Sequence, residues 1–189
     1  QQVLEQGEQV LVKNQRGEGG LFDKVIVATQ ANQLGFIEGE QYAAERKVLA
    51  GITYAQGELV VHQDLHCLPR CRQDWTALNF MANKQFERFM FSVWVNTVEP
   101  SLANKKTVLQ TWNPIISLDE AKVLSRIPFQ RAVVNANTAK ILAQLEQWHQ
   151  QPNRRIFYIG SWAYEGVPLL ETAVCSAQAV IERLVEVEG

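Results

Sequence analysis

The chain has 189 residues, 47% of them apolar and 20% charged, which suits one globular domain, or one with a small addition, around a sizeable core. Its formal net charge is −2 and its isoelectric point about 6.0, so no basic excess argues for nucleic acid as the main partner. No apolar run approaches the roughly 20 residues needed to cross a bilayer, and no charged-then-apolar leader is present. The cysteines are Cys67, Cys71 and Cys175. An odd number without the density of a disulfide scaffold favours a reducing compartment, hence the cytoplasm.

The opening stretch QQVLEQGEQV is strand-like and lacks an initiating Met. A processed chain or a portion of a longer protein is therefore expected. Residues 9–13 (QVLVK) form a short strand, and residues 14–20 (NQRGEGG) a turn, where glycine supplies the positive φ that hairpin loops need. Residues 22–29 (FDKVIVAT) form the return strand. Its unbroken VIVA run predicts that both faces are covered. A short helix is expected over residues 41–49. Extended segments follow at 58–62, 75–81, 89–97 and 107–112, most simply an antiparallel meander. Within residues 89–96, Phe89, Phe91, Val93 and Val95 share one face, and Met90, Ser92, Trp94 and Asn96 the other.

The last third is helical in pattern. Ile141, Leu142, Leu145 and Trp148 recur at helical spacing, with Asn137 or Thr138 as the cap and Pro152-Asn153 as the stop. Residues 156–160 (IFYIG) read as a buried strand. Ala173, Val174, Ala177, Val180, Ile181 and Leu184 line one face of a closing helix. No internal repeat or clear linker appears.

Several chemical patterns compete for attention. A dinucleotide-binding βαβ unit needs Gly-x-Gly-x-x-Gly between a strand and a helix. The one dense glycine cluster, Gly17, Gly19 and Gly20, leads into a strand and reads as a hairpin turn. His62, His66, Cys67 and Cys71 could in principle hold zinc, but ordinary strand and loop residues are the simpler reading. No Gly-x-Ser-x-Gly elbow is present. The five tryptophans can fill core; Trp162, between the last strand and the last helix, is the one whose position suggests a ligand role. The closing helix leaves its first N–H groups without intrahelical partners. These groups and the helix dipole favour an electron-rich ligand beside Gly160.

Three segments carry a resemblance. FDKVIVATQANQ resembles a strand of flavin-containing amine oxidase-like proteins that passes near FAD. IFYIGSWAYEGVPLLETAVCSA resembles their carboxy-terminal flavin motif, through Ile159-Gly160-Ser161 and residues 172–177. VVHQDLHCLPRCRQDWTALNF is similar to a stretch of predicted NAD/FAD-binding oxidoreductases of this superfamily, through His62, Asp64, Leu68, Pro69, Arg70, Arg72, Trp75, Asn79 and Phe80. The resemblance implies an α+β fold. An antiparallel or mixed-sheet substrate-binding domain (31–151) would accompany the remainder of an FAD-binding α/β domain (1–30 and 152–189).

The resemblance also implies a set of contacts to FAD. Ala28 and Thr29 would face the diphosphate, and Gly160 and Ser161 would lie by the ribityl chain. N–H groups at Leu170, Glu171 and Thr172 would point at the ring's electron-rich edge, with Trp162 and Ala173 completing the set. The implied activity is hydride transfer from a small-molecule substrate to flavin in the intact protein, with no catalytic base assignable. The implied partner is an amino-terminal segment carrying the missing Gly-rich loop. The sequence departs from the family pattern at Ser161, Leu169 and Thr172, where an acid, an aromatic residue and a glycine are usual. The alternative is a non-catalytic binding module that keeps the fold without the phosphate loop. Either form is expected to self-associate through exposed sheet.

Overall fold

The computed structural model describes residues 1–188, with side chains through residue 185. It is α+β, and the chain divides into two compact units: Gln1–Tyr54 with Ala132–Gly189, and Ala55–Arg131. The division falls inside the segment expected to form the substrate domain. Residues 31–54 and 132–151 pack with the first unit, because their apolar side chains join its core: Leu34, Ile37, Tyr42, Leu49, Ile141, Leu145 and Trp148.

In the first unit, β1 (Gln2–Gln6), β2 (Gln9–Lys13) and β3 (Gly19–Phe22) form an antiparallel sheet in that order. The hairpin turn is held by Asn14, whose Oδ1 accepts from the N–H groups of Arg16 and Glu18, an Asx-type arrangement. The expected return strand over 22–29 is in fact two elements. β3 ends at Phe22, and β4 (Val25–Val27) belongs to a separate sheet, where it pairs in parallel with β10 (Ile156–Tyr158). The run VIVA is not covered on both faces either: Val27 is buried, but Ile26 is 41% exposed and Ala28 is exposed. Among the described residues only one edge of β4 is paired.

Three helices complete this unit: α1 (Glu40–Leu49), α3 (Thr138–His149) and α4 (Leu170–Glu188). Neither expected cap of α3 accepts a conventional cap bond. Thr138 is the first helical residue, and its Oγ1 accepts from the N–H of Asn135, which in turn caps Asn137. On α4, Ser176 and Val180 face the core, whereas Val174 and Ile181, expected on the buried face, are 45% and 52% exposed. Beneath the helices lies a buried ion pair. Arg154 meets Glu45 with both guanidinium nitrogens at 2.5 and 2.8 Å, and Tyr158 donates to the same carboxylate at 3.0 Å.

The second unit is a five-stranded sheet in the order β6-β7-β8-β5-β9, with β5 at Thr53–His62, β6 at Leu78–Ala82, β7 at Phe89–Trp94, β8 at Leu109–Trp112 and β9 at Val123–Val133. The alternation expected for residues 89–96 is present through Trp94, with Met90 and Ser92 buried. The chain then turns into a single helical turn, α2 (Val95–Val98), because the Asn96 side chain bonds the carbonyls of Leu102 and Lys106 and accepts from the Val108 N–H. β9 carries Pro128 and lies at the sheet edge, where a missing N–H is tolerated. No helix among the described residues is long and apolar enough to cross a membrane.

Candidate functional site

β4 and β10 run side by side, and both chains leave the sheet at the same end. At that end Gly160 has φ +143, a conformation that L side chains rarely adopt. A Cβ there would lie 3.1 Å from Nε1 of Trp162. The indole itself is 4% exposed and donates from Nε1 to the carbonyl of Thr29 at 2.9 Å. Trp162 therefore ties the end of β10 to the end of β4, and its ring belongs to the core of this unit.

Hydroxyls stitch the closing helix to the same place. Ser176 Oγ accepts from the Gly160 N–H at 2.9 Å and donates to Ala173 O at 2.8 Å. Thr172 Oγ1 accepts from the Leu169 N–H and lies 3.2 Å from the Ser161 carbonyl. The Thr172 side chain is thus an anchor between loop and helix. It leaves the N–H groups of Leu170, Glu171 and Thr172 itself without a hydrogen bond to any described residue. Leu170 is 82% exposed and Leu169 51%, so the amino end of α4 is open to solvent.

Two polar atoms at the β4 end are orphaned. Thr29 Oγ1 and Gln30 Oε1 are buried and have no hydrogen-bond partner, a state that free-energy considerations disfavour by ~1–3 kcal/mol each unless something else satisfies them. Next to them a cavity of about 260 Å³ is lined by Val25, Ile26, Ala28, Thr29, Val12 and Phe36 among others. A larger cavity of about 590 Å³ lies at the opposite end of β10, among Arg154, Arg155, Arg183 and His149. Its arginines are already matched: Arg154 to Glu45, Arg155 to Glu5 and Arg183 to Glu146. His149 accepts from the Tyr158 N–H through Nε2. Burial, reinforced by Arg154 and Arg183, lowers its pKa to about 4.

The structure thus brings Thr29, Gly160, Ser161, Trp162 and Thr172 together through direct bonds and near contacts, with Ala173 joined through Ser176. Ala28 lines the neighbouring cavity. Leu170 and Glu171 sit on the same first turn of α4. Sequence reasoning missed Ser176 as a tie and Gln30 as an orphan. The first follows from the i, i+3 and i, i+4 neighbours of Thr172 and Ala173 on one helix face; nothing in the sequence marks the second.

The His-x-Asp segment is a structural lock in the second unit. The Asp64 N–H donates to His62 Nδ1, so Nε2 carries the proton and donates to Thr111 Oγ1 at 2.7 Å, with Ser92 Oγ 2.7 Å further on. Burial lowers the His62 pKa despite Asp64. Burial of Asp64 itself opposes its charge, yet N–H groups of Asp119 and His66 outweigh it and hold the carboxyl below its usual range. Trp75 donates to Pro69 O, and Arg72 stacks on the Trp75 ring. Asn79 exchanges bonds with the Thr76 backbone. His66 is exposed and bonded to Asp64, and both ring nitrogens of His62 are engaged. Cys67 is buried and Cys71 exposed. Among the described residues no group of three or more possible ligands converges on a metal position.

By sequence, no family profile and no curated protein matches this chain. By structure, 96% of the chain matches 46% of a CLA-producing fatty acid isomerase from P. acnes, with a TM-score of 0.56 and 8% identity. The chain therefore shares the fold of part of that protein and spans less than half of its length.

Proposed function

We propose that this chain is the carboxy-terminal part of an FAD-dependent oxidoreductase of the amine oxidase-like superfamily. The unit Gln1–Tyr54 with Ala132–Gly189 would hold flavin, and the unit Ala55–Arg131 would receive substrate. The carrying observation is the joint end of β4 and β10, where a positive-φ glycine, two orphaned polar atoms and the bare amino end of α4 meet. These features fit the cofactor: side-chain groups lacking partners, and N–H donors beside an electron-rich edge. When bound, FAD would supply a two-electron acceptor for hydride from substrate carbon.

The residues of the chain would bind and orient the cofactor. Thr29 Oγ1 and Gln30 Oε1 would gain partners from the cofactor's polar chain, with Ala28 offering backbone beside them. Gly160 and Ser161 would pass along the ribityl portion. Leu170, Glu171 and Thr172 N–H groups would stabilise negative charge arising on the ring. Trp162 and Ala173 would hold the loop and helix at the spacing this requires. The unpaired edge of β4, with Ile26 exposed above it, supports a further parallel strand from an amino-terminal segment as the partner of this unit.

The test is the colour of the full gene product. A yellow flavin absorbance band that survives gel filtration, and is lost on Gly160→Ala, supports the reading. A colourless product indifferent to added FAD refutes it and leaves a non-catalytic binding module.

A further inference from the structure

Most aromatic side chains of the second unit's sheet lie on one face, whereas Trp94 packs on the core side. Cross-strand partners share a face, so the register places Phe80, Phe91, Trp112 and Leu59 in one row across β6, β7, β8 and β5. Beside it runs a second row, Leu78, Val93, Gln110 and Val61. The edge of the Trp112 ring meets Phe129 of β9 at 4.9 Å between centroids, and Phe80 lies 6.0 Å from Phe91. Gly57 is what allows Trp112 to lie down on the sheet: a Cβ there would come within 2.7 Å of Trp112 Cζ2.

The opposite face carries Ser92, Thr111 and His62, and it is this face that packs on the unit's core through Met90, Leu109 and Val60. On the aromatic face Phe80 is 73% exposed, Phe89 60%, Leu78 45%, Ile127 44% and Phe129 41%. Large apolar side chains clustered on one exposed face mark a surface that an apolar partner covers.

Charge narrows the occupant. The guanidinium of Arg131 stands over the Trp112 ring at 6.0 Å and has no salt bridge to any described residue. The other cation of β9, Arg126, is neutralised by Glu58 and Glu120. The face therefore presents an apolar track with one available cation at its β9 end. The track crosses four inter-strand spacings, ~19 Å at about 4.8 Å each, which matches the length of an extended long acyl chain.

We infer that this face binds a free long-chain carboxylate, with the acyl chain along Phe129, Trp112, Phe91 and Phe80 and the carboxylate on Arg131. The inference rests on the flavoprotein reading only in taking this unit as the one that receives substrate. Arginine stacked on an indole offers a planar donor fork suited to a carboxylate while keeping the charge partly desolvated.

The experiment titrates the 189-residue chain with oleate, oleyl alcohol and oleylamine at monomeric concentrations, with tryptophan fluorescence and calorimetry as readouts and no flavin present. Oleate is expected to bind saturably, and oleyl alcohol and oleylamine more weakly by roughly tenfold to a hundredfold. Arg131→Gln should weaken oleate by a similar factor and leave oleyl alcohol unchanged; Arg131→Lys, which keeps the charge but loses the planar fork, should weaken it by less than Arg131→Gln. Equal binding of all three amphiphiles, or oleate affinity indifferent to Arg131→Gln, overturns the proposal. So does sedimentation showing that the face is buried in a dimer broken by Phe80→Ser, and so does uptake of phospholipid vesicles without uptake of monomeric oleate. Because flavin is absent, a colourless full gene product would refute the cofactor reading without altering this titration.

Discussion

Replacing Gly160 by alanine probes the joint on which the candidate site is built. The backbone there sits at φ +143, and holding a non-glycine residue in a sparsely populated region costs ~1–3 kcal/mol. The new methyl would also lie 3.1 Å from Trp162 Nε1 and 3.2 Å from its Cδ1. The indole is 4% exposed and packed in the core, so it cannot swing away freely. If it shifts enough to lose its bond to Thr29 O, a buried donor is left unpaired at ~1–3 kcal/mol. The sum is a loss of about 2–6 kcal/mol, measured as a shift of the urea midpoint at unchanged slope. Trp162→Phe separates the two contributions, since it removes the N–H and leaves Gly160 unstrained; it should cost only the hydrogen-bond part plus the packing difference. In the full gene product, Gly160→Ala should release flavin in conditions where the protein is still folded. A Gly160→Ala chain within about 0.5 kcal/mol of wild type, a change typical of a neutral surface site, would refute the claim that the backbone and the Trp162 ring require glycine at this position.

The remaining expectations concern the buried polar groups. His149 has its pKa lowered to about 4 from an unfolded value near 6.5, so its contribution is fully present above pH ~6.5 and is lost as pH falls towards 4. That amounts to about 3 kcal/mol across the window. His149→Leu should flatten the pH dependence there, and an unchanged profile of stability against pH would contradict this. Arg154→Leu strands the Glu45 carboxylate and should destabilise by ~3–5 kcal/mol, whereas the double change Glu45→Leu, Arg154→Leu should recover much of it; thermal denaturation of both variants decides. Thr111→Val takes away the acceptor of His62 Nε2–H and should cost ~1–3 kcal/mol. Denaturant midpoints test this, and a neutral result would mean that the His62, Thr111 and Ser92 chain is not what locks the second unit.

Much of the chain's local structure was legible in its residues. Periodicity placed α3 and the closing helix, because their apolar residues recur at helical spacing, and a short apolar run marked the strand over residues 156–158. Asn14 and the glycines after it marked the first turn through their own backbone chemistry. Gly160 and the start of the closing helix were also singled out, since a glycine after an apolar strand and an uncapped helix start can be read locally; Ala28 and Thr29 at the end of β4 came only from the family resemblance.

What the tertiary structure decided is how strands pair and which faces are left open. No local signal separates β3 from β4, because both are short apolar runs; their parting depends on β10, more than 120 residues away, as the parallel partner of β4. Pro128 disguised β9, and only its place at a sheet edge makes that residue acceptable. Alternation along residues 89–94 revealed two faces without revealing which one is inside. Burial shows that the side bearing Met90 and Ser92 packs inward and the phenylalanines face out. Strand periodicity specifies a division of side chains into two sets, but which set meets the core is a property of everything packed around the sheet.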